Sequence, residues 1–578
     1  TWAWRDNSRA PPNRSGLADC ERVNFARDVL RDKSPDGLAL VELGRDGKRR
    51  EWTFGEVEQG VGAFAETLVE RGVGRGDVVM TLIGNRPEWV LTMMACFRIG
   101  AVVLPCTEQS RAKDLRLRLA VARPKLIVAD IRNRAELEGA APECAPMWWP
   151  GGAAPGVGAE RGSHYETGAP ARTREESGER LRGESGERLA SRGPARSTPK
   201  QSDPKQSDAT DPDHLSATDP GPLSGYADLA SDEPALITFT SGTAGEPKAV
   251  VHAQRYLYGQ RVQAEHWLGA GEGDLVWCTA ASGWSKSARN VFIAPWLMGA
   301  SALLHDARFD PDERLDVIDD EHVNVLCMAP TEYRVIAKRA RLRALPSLKG
   351  MVAAGEALNP EVLKAWRDAT GLDIRDGYGQ TETGQMTGMD IGIVARAGSM
   401  GRALGGVGLE VIDGELVADP RTVPTFFLGY LGEGVRRAVD GRWTVDDRMQ
   451  AGPWRTGDRV NQDEDGYLRF EGRADDVIVS AGYRIGPFEV ESALVAHRAV
   501  AEAAAVAAAD EERGAVVRAI VVLREGFEPS EALASELQEH VKRETAPYKY
   551  PRIVEFAGEL PKTASGKVMR ARLRGERL

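Results

Sequence analysis

From Thr53 the apolar positions recur with a helical period. Phe54, Val57, Val61, Phe64, Leu68 and Val69 fall on one stripe. Glycines at 72, 74 and 76 end the stripe, and Val78–Leu82 then reads as a buried strand. The alternation repeats with a helix over Pro87–Ile99, a strand over Ala101–Leu104, a helix over Lys113–Val121 and a strand over Leu126–Ala129. Before it, Val23–Leu30 is helix-like, and Leu38–Leu43 and Glu51–Phe54 form a hairpin across Gly44–Gly47. The rhythm resumes after Ala227. Its strands are Leu236–Phe239, Leu275–Thr279, Val323–Ala329 and Lys349–Ala353, with a helix and strand within Val291–Leu304. Its helices are Tyr256–Leu268, Pro311–Glu321, Thr331–Ala340 and Pro360–Thr370, the last capped by Asn359. Such alternation predicts mainly parallel sheets covered by helices. Beyond Ser399, strands and turns replace the rhythm. From Ala474 the pattern is α+β, with a helix over Glu489–Val495 and a strand over Val516–Leu523. Ser530 caps a last helix, in which Leu533, Leu537 and Val541 share a face.

The expected architecture is therefore α/β. Residues 1–473 form a large domain of mainly parallel sheets with helices plus a β-rich subdomain, and residues 474–578 form a small α+β domain. Between 151 and 225, Gly, Pro, Ser and charged residues dominate, and short repeats appear: SGERL at Ser177 and Ser185, KQSDP at Lys200 and KQSDA at Lys205. This stretch cannot bury enough apolar surface to offset its ordering entropy, so it is expected to be a disordered insertion. Residues 1–20 are expected to be an irregular arm.

At 578 residues and 42% hydrophobic content the chain can fill more than one core. A net charge of −11 argues against nucleic acid as the main partner. The six cysteines form no close pair, and the eight histidines form no HExxH pattern, so no structural metal is expected. No apolar run is long enough to span a membrane. A cytoplasmic protein is expected.

The chemistry concentrates in a few places. Leu236–Phe239 runs into Thr240, Ser241, Gly242, Thr243, Ala244, Gly245, Glu246, Pro247 and Lys248. Small residues let a backbone fold tightly around an anion, hydroxyls and N–H groups can donate to phosphate, and a lysine adds a point charge. The spacing is not that of a Walker loop. Downstream, Asp376, Gly377, Tyr378, Gly379, Gln380, Thr381 and Glu382 read as one loop. It offers a ring face for a base, a hydroxyl for phosphate and a carboxylate for Mg²⁺. Asp458 lies in TGD, Arg473 and Asp475 in GRADD, Gly482 to Arg484 in GYRIG and Lys567 in PKTASGK. Taken singly, each of these segments also suits an ordinary turn or a solvated surface.

Their order is informative. TSGTAGEPK, GYGQTE, TGD, GRADD with GYRIG, and PKTASGK follow one another as in the adenylate-forming superfamily of acyl-CoA synthetases, luciferases and adenylation domains, which this chain resembles from about residue 23 to 578, the insertion excepted. APTEYR (Ala329–Arg334), SAGYRIGPFEVESAL (Ser480–Leu494) and TAPYKYPR (Thr545–Arg552) resemble the medium-chain acyl-CoA synthetase branch. The resemblance implies an ATP-, Mg²⁺- and coenzyme A-dependent enzyme that makes an acyl-adenylate, releasing pyrophosphate, and then an acyl-CoA, releasing AMP. Lys567 would bridge the carboxylate and the α-phosphate, Thr381 and residues 240–248 would orient the triphosphate, and Glu382 would hold Mg²⁺. Tyr378 and Gly355, Glu356 and Ala357 would frame adenine, while Asp458 and Arg473 would hold ribose. The small domain would rotate about a hinge at Asp475. Ala481, Gly482, Tyr483 and Arg484 would flank the pantetheine arm, and Arg513, Lys542, Lys549 and Arg552 would meet CoA phosphates.

Two departures stand out: Ala244 where the family usually has threonine, and Ala481 where this branch often has serine. Gly379 and Trp284 are expected at the acyl pocket. Gly379 replaces a bulky tryptophan of acetate-specific relatives, which suggests room for a medium-chain fatty acid, with an aryl acid such as benzoate as the alternative. The rival readings are a carrier-protein acceptor, a luciferase-like oxygenase and an inert ATP binder.

Overall fold

The computed structural model describes residues 22–149, 225–240, 246–355, 358, 360–438, 440–481, 483–563 and 567–575, with the short strand Glu166–Thr167. The expected arm, nearly all of the expected insertion, and the cap Asn359 lie outside the described residues.

Two large sheets carry the βα rhythm. In the ten-stranded sheet, Val78–Leu82, Val102–Cys106 and Leu126–Asp130 are buried along their whole length and pair in parallel. Both faces are covered, so the strands read as continuous apolar runs. The nine-stranded sheet has a parallel centre made of Ile374–Gln380, Gly350–Ala354, Val325–Met328, Leu275–Cys278, Ser301–His305 and Leu38–Leu43. Helices lie between the two sheets. One core joins Val79, Val103 and Val128 to Val276, Ala302, Leu304 and Val325 through Phe64, Met93 and Leu257. Helix Phe54–Glu70 presents its predicted stripe to this core, except Val69, which is only half-buried. It starts at a reciprocal cap in which Glu56 N–H donates to Thr53 Oγ1 (3.1 Å) and Thr53 N–H donates to Glu56 Oε2 (2.9 Å). Helix Pro87–Ile99 is mostly apolar, with Glu88 and Thr92 as its buried polar residues, and is buried from Pro87 to Phe97.

Beyond Ser399 a four-stranded antiparallel sheet forms from Leu409–Ile412, Glu415–Ala418, Trp454–Gln462 and Leu468–Arg473. The C-terminal region has its own core. Helices Pro487–Ala496 and Glu531–Glu544 cover the sheet of Val500–Asp510, Gly514–Leu523 and Ile553–Phe556, and Leu537 and Val541 are fully buried there. Ser530 caps the second helix, its Oγ accepting from Leu533 N–H at 3.1 Å.

Two expectations need correction. The segment 376–380 is a strand rather than a loop. It pairs in parallel with Gly350–Ala354 and turns through Thr381–Thr383 into Gly384–Gly388. Its small and polar residues show no apolar alternation, so the strand is invisible without its neighbours. The helix expected over Tyr256–Leu268 is α-helical only across Gln254–Gln263 and continues as a π-turn at Ala264–Leu268.

Candidate active site

A cleft of about 1860 Å³ opens beyond the carboxyl ends of the parallel strands, where Thr279, Asp306, Ala329 and Gly355 follow their strands. Crevices at that end of a parallel sheet are the usual ligand sites of α/β folds. The hairpin 374–388 enters from one side and the four-stranded sheet from another, and Lys567 of the C-terminal region faces the same space.

The polar centre is built around Asp458, which is 4% exposed. The Tyr378 hydroxyl and Gln380 Nε2 (2.8 Å) both donate to Asp458 Oδ2, and Arg473 Nη1 lies 3.4 Å from Oδ1. Asp458 and Arg473 face each other in antiparallel register, which the spacing of TGD and GRADD creates once the two strands pair. Burial raises the Asp458 carboxyl, against the opposing pull of Tyr378, Arg473, Gln380 and Lys567. The Trp454 indole holds Gln380 from behind, donating to Oε1 at 3.0 Å. Thr381 and Glu382 line the cleft at the hairpin turn, and Tyr430 Oη donates to Glu382 Oε1 at 2.8 Å. Tyr430 lies in no recognisable motif. Its role follows from the pairing of Gly429–Leu431 with Ala249–Ala253.

Thr240 and Lys248 close the base of the phosphate-type loop: Thr240 N–H donates to Lys248 O and Lys248 N–H to Thr240 Oγ1, both at 2.9 Å. Glu246, Pro247 and Lys248 line the cleft, and Lys248 Nζ reaches Glu433 at 3.4 Å. Ser241, Gly242, Thr243, Ala244 and Gly245 lie outside the described residues, as do Glu356, Ala357 and Gly482. Gly355 adopts φ +106 at the end of its strand, a region that strongly favours glycine. Asp376 and Gly377 line the floor. Burial pushes the Asp376 carboxyl up to about 8, opposed by the Gly377 N–H and Lys286.

Trp284 lines the cleft, as does Gly379. The missing side chain of Gly379 has another reason than a roomy pocket. A Cβ there would sit 1.9 Å from the Gly384 carbonyl oxygen, so glycine permits the close approach of the two hairpin strands.

The remaining residues expected at the site do not line this cleft. Ala481, at φ +48, donates its N–H to Arg513 O at 3.0 Å. Tyr483 is 53% exposed and stacks on Tyr548 with ring centres 4.3 Å apart. Lys549 pairs with Glu489 and lies over the Tyr548 ring, while Lys542 and Arg552 lie over Tyr550. They belong to the C-terminal region and, unlike Lys567, do not line the cleft. Sequence reasoning missed Tyr430, Lys286 and Arg289, which line the cleft but stand in no motif.

Together, the sheets, the cleft and the small C-terminal lobe with its lysine define an enzyme of the adenylate-forming class. The chain belongs to the AMP-binding enzyme family. That family's model matches residues 27–429, and the model for the AMP-binding enzyme C-terminal domain matches 489–567. The chain is 35% identical over 577 residues to "Acyl-coenzyme A synthetase ACSM3, mitochondrial" of Mus musculus, covering 96% of this chain and 90% of that one. Among solved structures, an acyl-CoA synthetase of Brucella canis aligns with TM-score 0.63 at 29% identity, over 96% of this chain and 94% of that one. A benzoate CoA ligase from Burkholderia xenovorans shares the fold with TM-score 0.73 at 23% identity, over 96% and 100% of the two chains. Among the described residues, no helix is long and apolar enough to cross a membrane.

Proposed function

We propose that this chain is an AMP-forming acid–CoA ligase that couples an acid of intermediate length to coenzyme A through an acyl-adenylate. The observation that carries the reading is that Lys567 of the C-terminal region shares one cleft with Thr381, Glu382, Asp458 and Arg473 of the large one. Two anions, a carboxylate and an α-phosphate, must meet in the first step, and a positioned ammonium lowers that barrier. Lys567 takes that part. Asp458 accepts from the ribose hydroxyls with Arg473 beside it. Tyr378 and Gly355–Ala357 frame the base, and Thr381 and residues 240–248 orient the phosphates. Among the described residues, the Glu382 carboxylate takes one hydrogen bond, from Tyr430 on Oε1, which suits Mg²⁺: that ion commonly binds one or two carboxylates plus substrate phosphates.

In the second step the 474–578 domain turns about Asp475, withdraws Lys567 and brings the Tyr483 face inward. Ala481, Gly482, Tyr483 and Arg484 then flank the pantetheine arm. Arg513, Lys542, Lys549 and Arg552 meet the CoA phosphates. What supports this is the exposure of Tyr483 and its stacking on Tyr548 beside Lys549. A cytoplasmic location is proposed, in keeping with the five free cysteines among the described residues.

The deciding measurement is ATP-, Mg²⁺- and CoA-dependent AMP release across straight-chain acids from acetate to laurate, plus benzoate. A maximum at intermediate length supports the reading. A maximum at benzoate makes it an aryl-CoA ligase. AMP release that ignores CoA points to another acceptor, such as a carrier protein, and no AMP with any acid rejects the ligase reading.

A further inference from the structure

The cleft lined by Tyr378 and Trp284 is not apolar throughout, as an alkyl tail would need. Lys286 and Arg289 line it, three residues apart on the segment that follows Gly283. Arg289 opens a π-turn at Arg289–Ile293, an irregularity that often marks functional sites. It is 5% exposed, and its Nε and Nη1 are enclosed without any acceptor. No carboxylate among the described residues pairs with it. Lys286 Nζ donates only to the Ala354 carbonyl, at 2.7 Å, and has no carboxylate partner among the described residues either.

Among the described residues, the nearby carboxyls are neutral or already engaged. Asp376, the carboxyl on which Lys286 acts, is held largely neutral near pH 7 by burial. Arg289 also acts on His252, Tyr256 and Cys327. Burial pushes His252 down to about 3, so it is neutral, and burial raises Tyr256; the hydrogen bond with Cys278, together with burial, raises Cys327, while the same bond lowers Cys278. Glu332, which bears on neighbouring Cys278, is engaged by Arg314 (3.5 Å) and the Thr279 hydroxyl. Nearby polar atoms also lack partners, among them both His252 ring nitrogens and the Oε1 atoms of Gln260 and Gln263.

A guanidinium enclosed without an acceptor is costly, and an alkyl chain laid beside it removes the remaining water and raises that cost. A carboxylate there would instead make charge-assisted hydrogen bonds of good geometry. We propose that the acid activated in this cleft carries a second carboxylate, which Arg289 takes as its ion partner with Lys286 beside it. This rests on the ligase reading and narrows its substrate class to dicarboxylate-type acids. Arg289 then determines specificity at the end of the substrate remote from the reacting carboxyl.

The test compares matched pairs in CoA-dependent AMP release: butanoate with succinate, hexanoate with adipate, octanoate with suberate. At one length the diacid should exceed its monoacid in kcat/KM by about tenfold or more, since a site built around a polar group rejects the analogue lacking it. Arg289→Met should abolish that preference chiefly through KM for the diacid, and Arg289→Lys should keep part of it. Monoacids preferred at every length would overturn the proposal and leave the ligase reading standing. So would a diacid preference that survives in a folded Arg289→Met, judged by its melting temperature. The wild-type comparison decides the matter even if the variants fail to fold. No AMP release with any acid would remove both readings together.

Discussion

Three side chains converge on Asp458, a fourth, Trp454, holds Gln380 from behind, and the charge of Lys567 reaches the same carboxylate. Residues of this kind were legible in the sequence because their chemistry lies in short, contiguous words: TGD, GYGQTE and PKTASGK each survive as a local unit. Arg289 and Tyr430 were not legible, because nothing local marks them. One matters for what it lacks and the other for a partner 48 positions away. Lys567→Ala should abolish ATP–pyrophosphate exchange, by about a hundredfold or more, yet leave thioester formation from supplied acyl-adenylate nearly intact. Equal loss in both half-reactions would contradict its assignment to the first step. Asp376 gives a pH signature. Its folded carboxyl is held up at about 8, whereas an unfolded aspartate titrates near about 3.9. The folded state therefore keeps a proton that the unfolded chain releases. Stability from this site is present at low pH and is lost as pH climbs from about 4 towards 8. Asp376→Asn, always neutral, should gain on the wild type between pH 5 and pH 8 in thermal melts. Parallel melting temperatures across that range would exclude the effect.

Elements with a periodic apolar signal, such as helix Phe54–Glu70 and the buried parallel strands, could be placed from spacing alone. Those without one could not. The alanine-rich run Val500–Asp510 has helical propensity but forms the longest strand of the C-terminal sheet, because Gly514–Leu523 returns alongside it through a tight turn. Ile374–Gln380 was hidden for the same reason: tertiary pairing, not composition, makes it a strand. The hairpin it starts gives Gly379 its own test. Adding a methyl group there should cost about 1–3 kcal/mol through overpacking against the Gly384 carbonyl. Gly379→Ala should therefore lower the melting temperature without moving chain-length preference. A shifted preference at unchanged stability would return this position to the acyl pocket.

On the scale of the whole molecule, the proposed two-step reaction uses two faces of the C-terminal lobe in turn. Lys567 faces the cleft, while Tyr483 and its cationic neighbours face elsewhere. Asp475 is suited to be the pivot. It is exposed, it is tied by its carboxylate to Arg473 Nε at 3.2 Å, and its N–H makes no hydrogen bond among the described residues. Proline there removes no backbone bond but fixes φ. Asp475→Pro should form adenylate at near wild-type rates while acyl-CoA output falls about tenfold or more. Normal overall turnover would move the pivot elsewhere. The change of architecture beyond Ser399 was readable because the βα rhythm stops there. The proposed rotation leaves no local pattern to read.

The pairing of Ala249–Ala253 with Gly429–Leu431 also bears on how the protein is made. Lys248 and Glu433, at the ends of those strands, are 185 residues apart. At about 5–20 residues per second, a ribosome needs roughly ten to forty seconds to cover that distance. Throughout that time one side of Ala249–Ala253 is an open β-edge on the nascent chain, the kind of surface that templates aggregation. Fragments ending before Gly429 would keep that edge exposed permanently, so soluble yield should depend more on the arrival of this short strand than on anything the active site does.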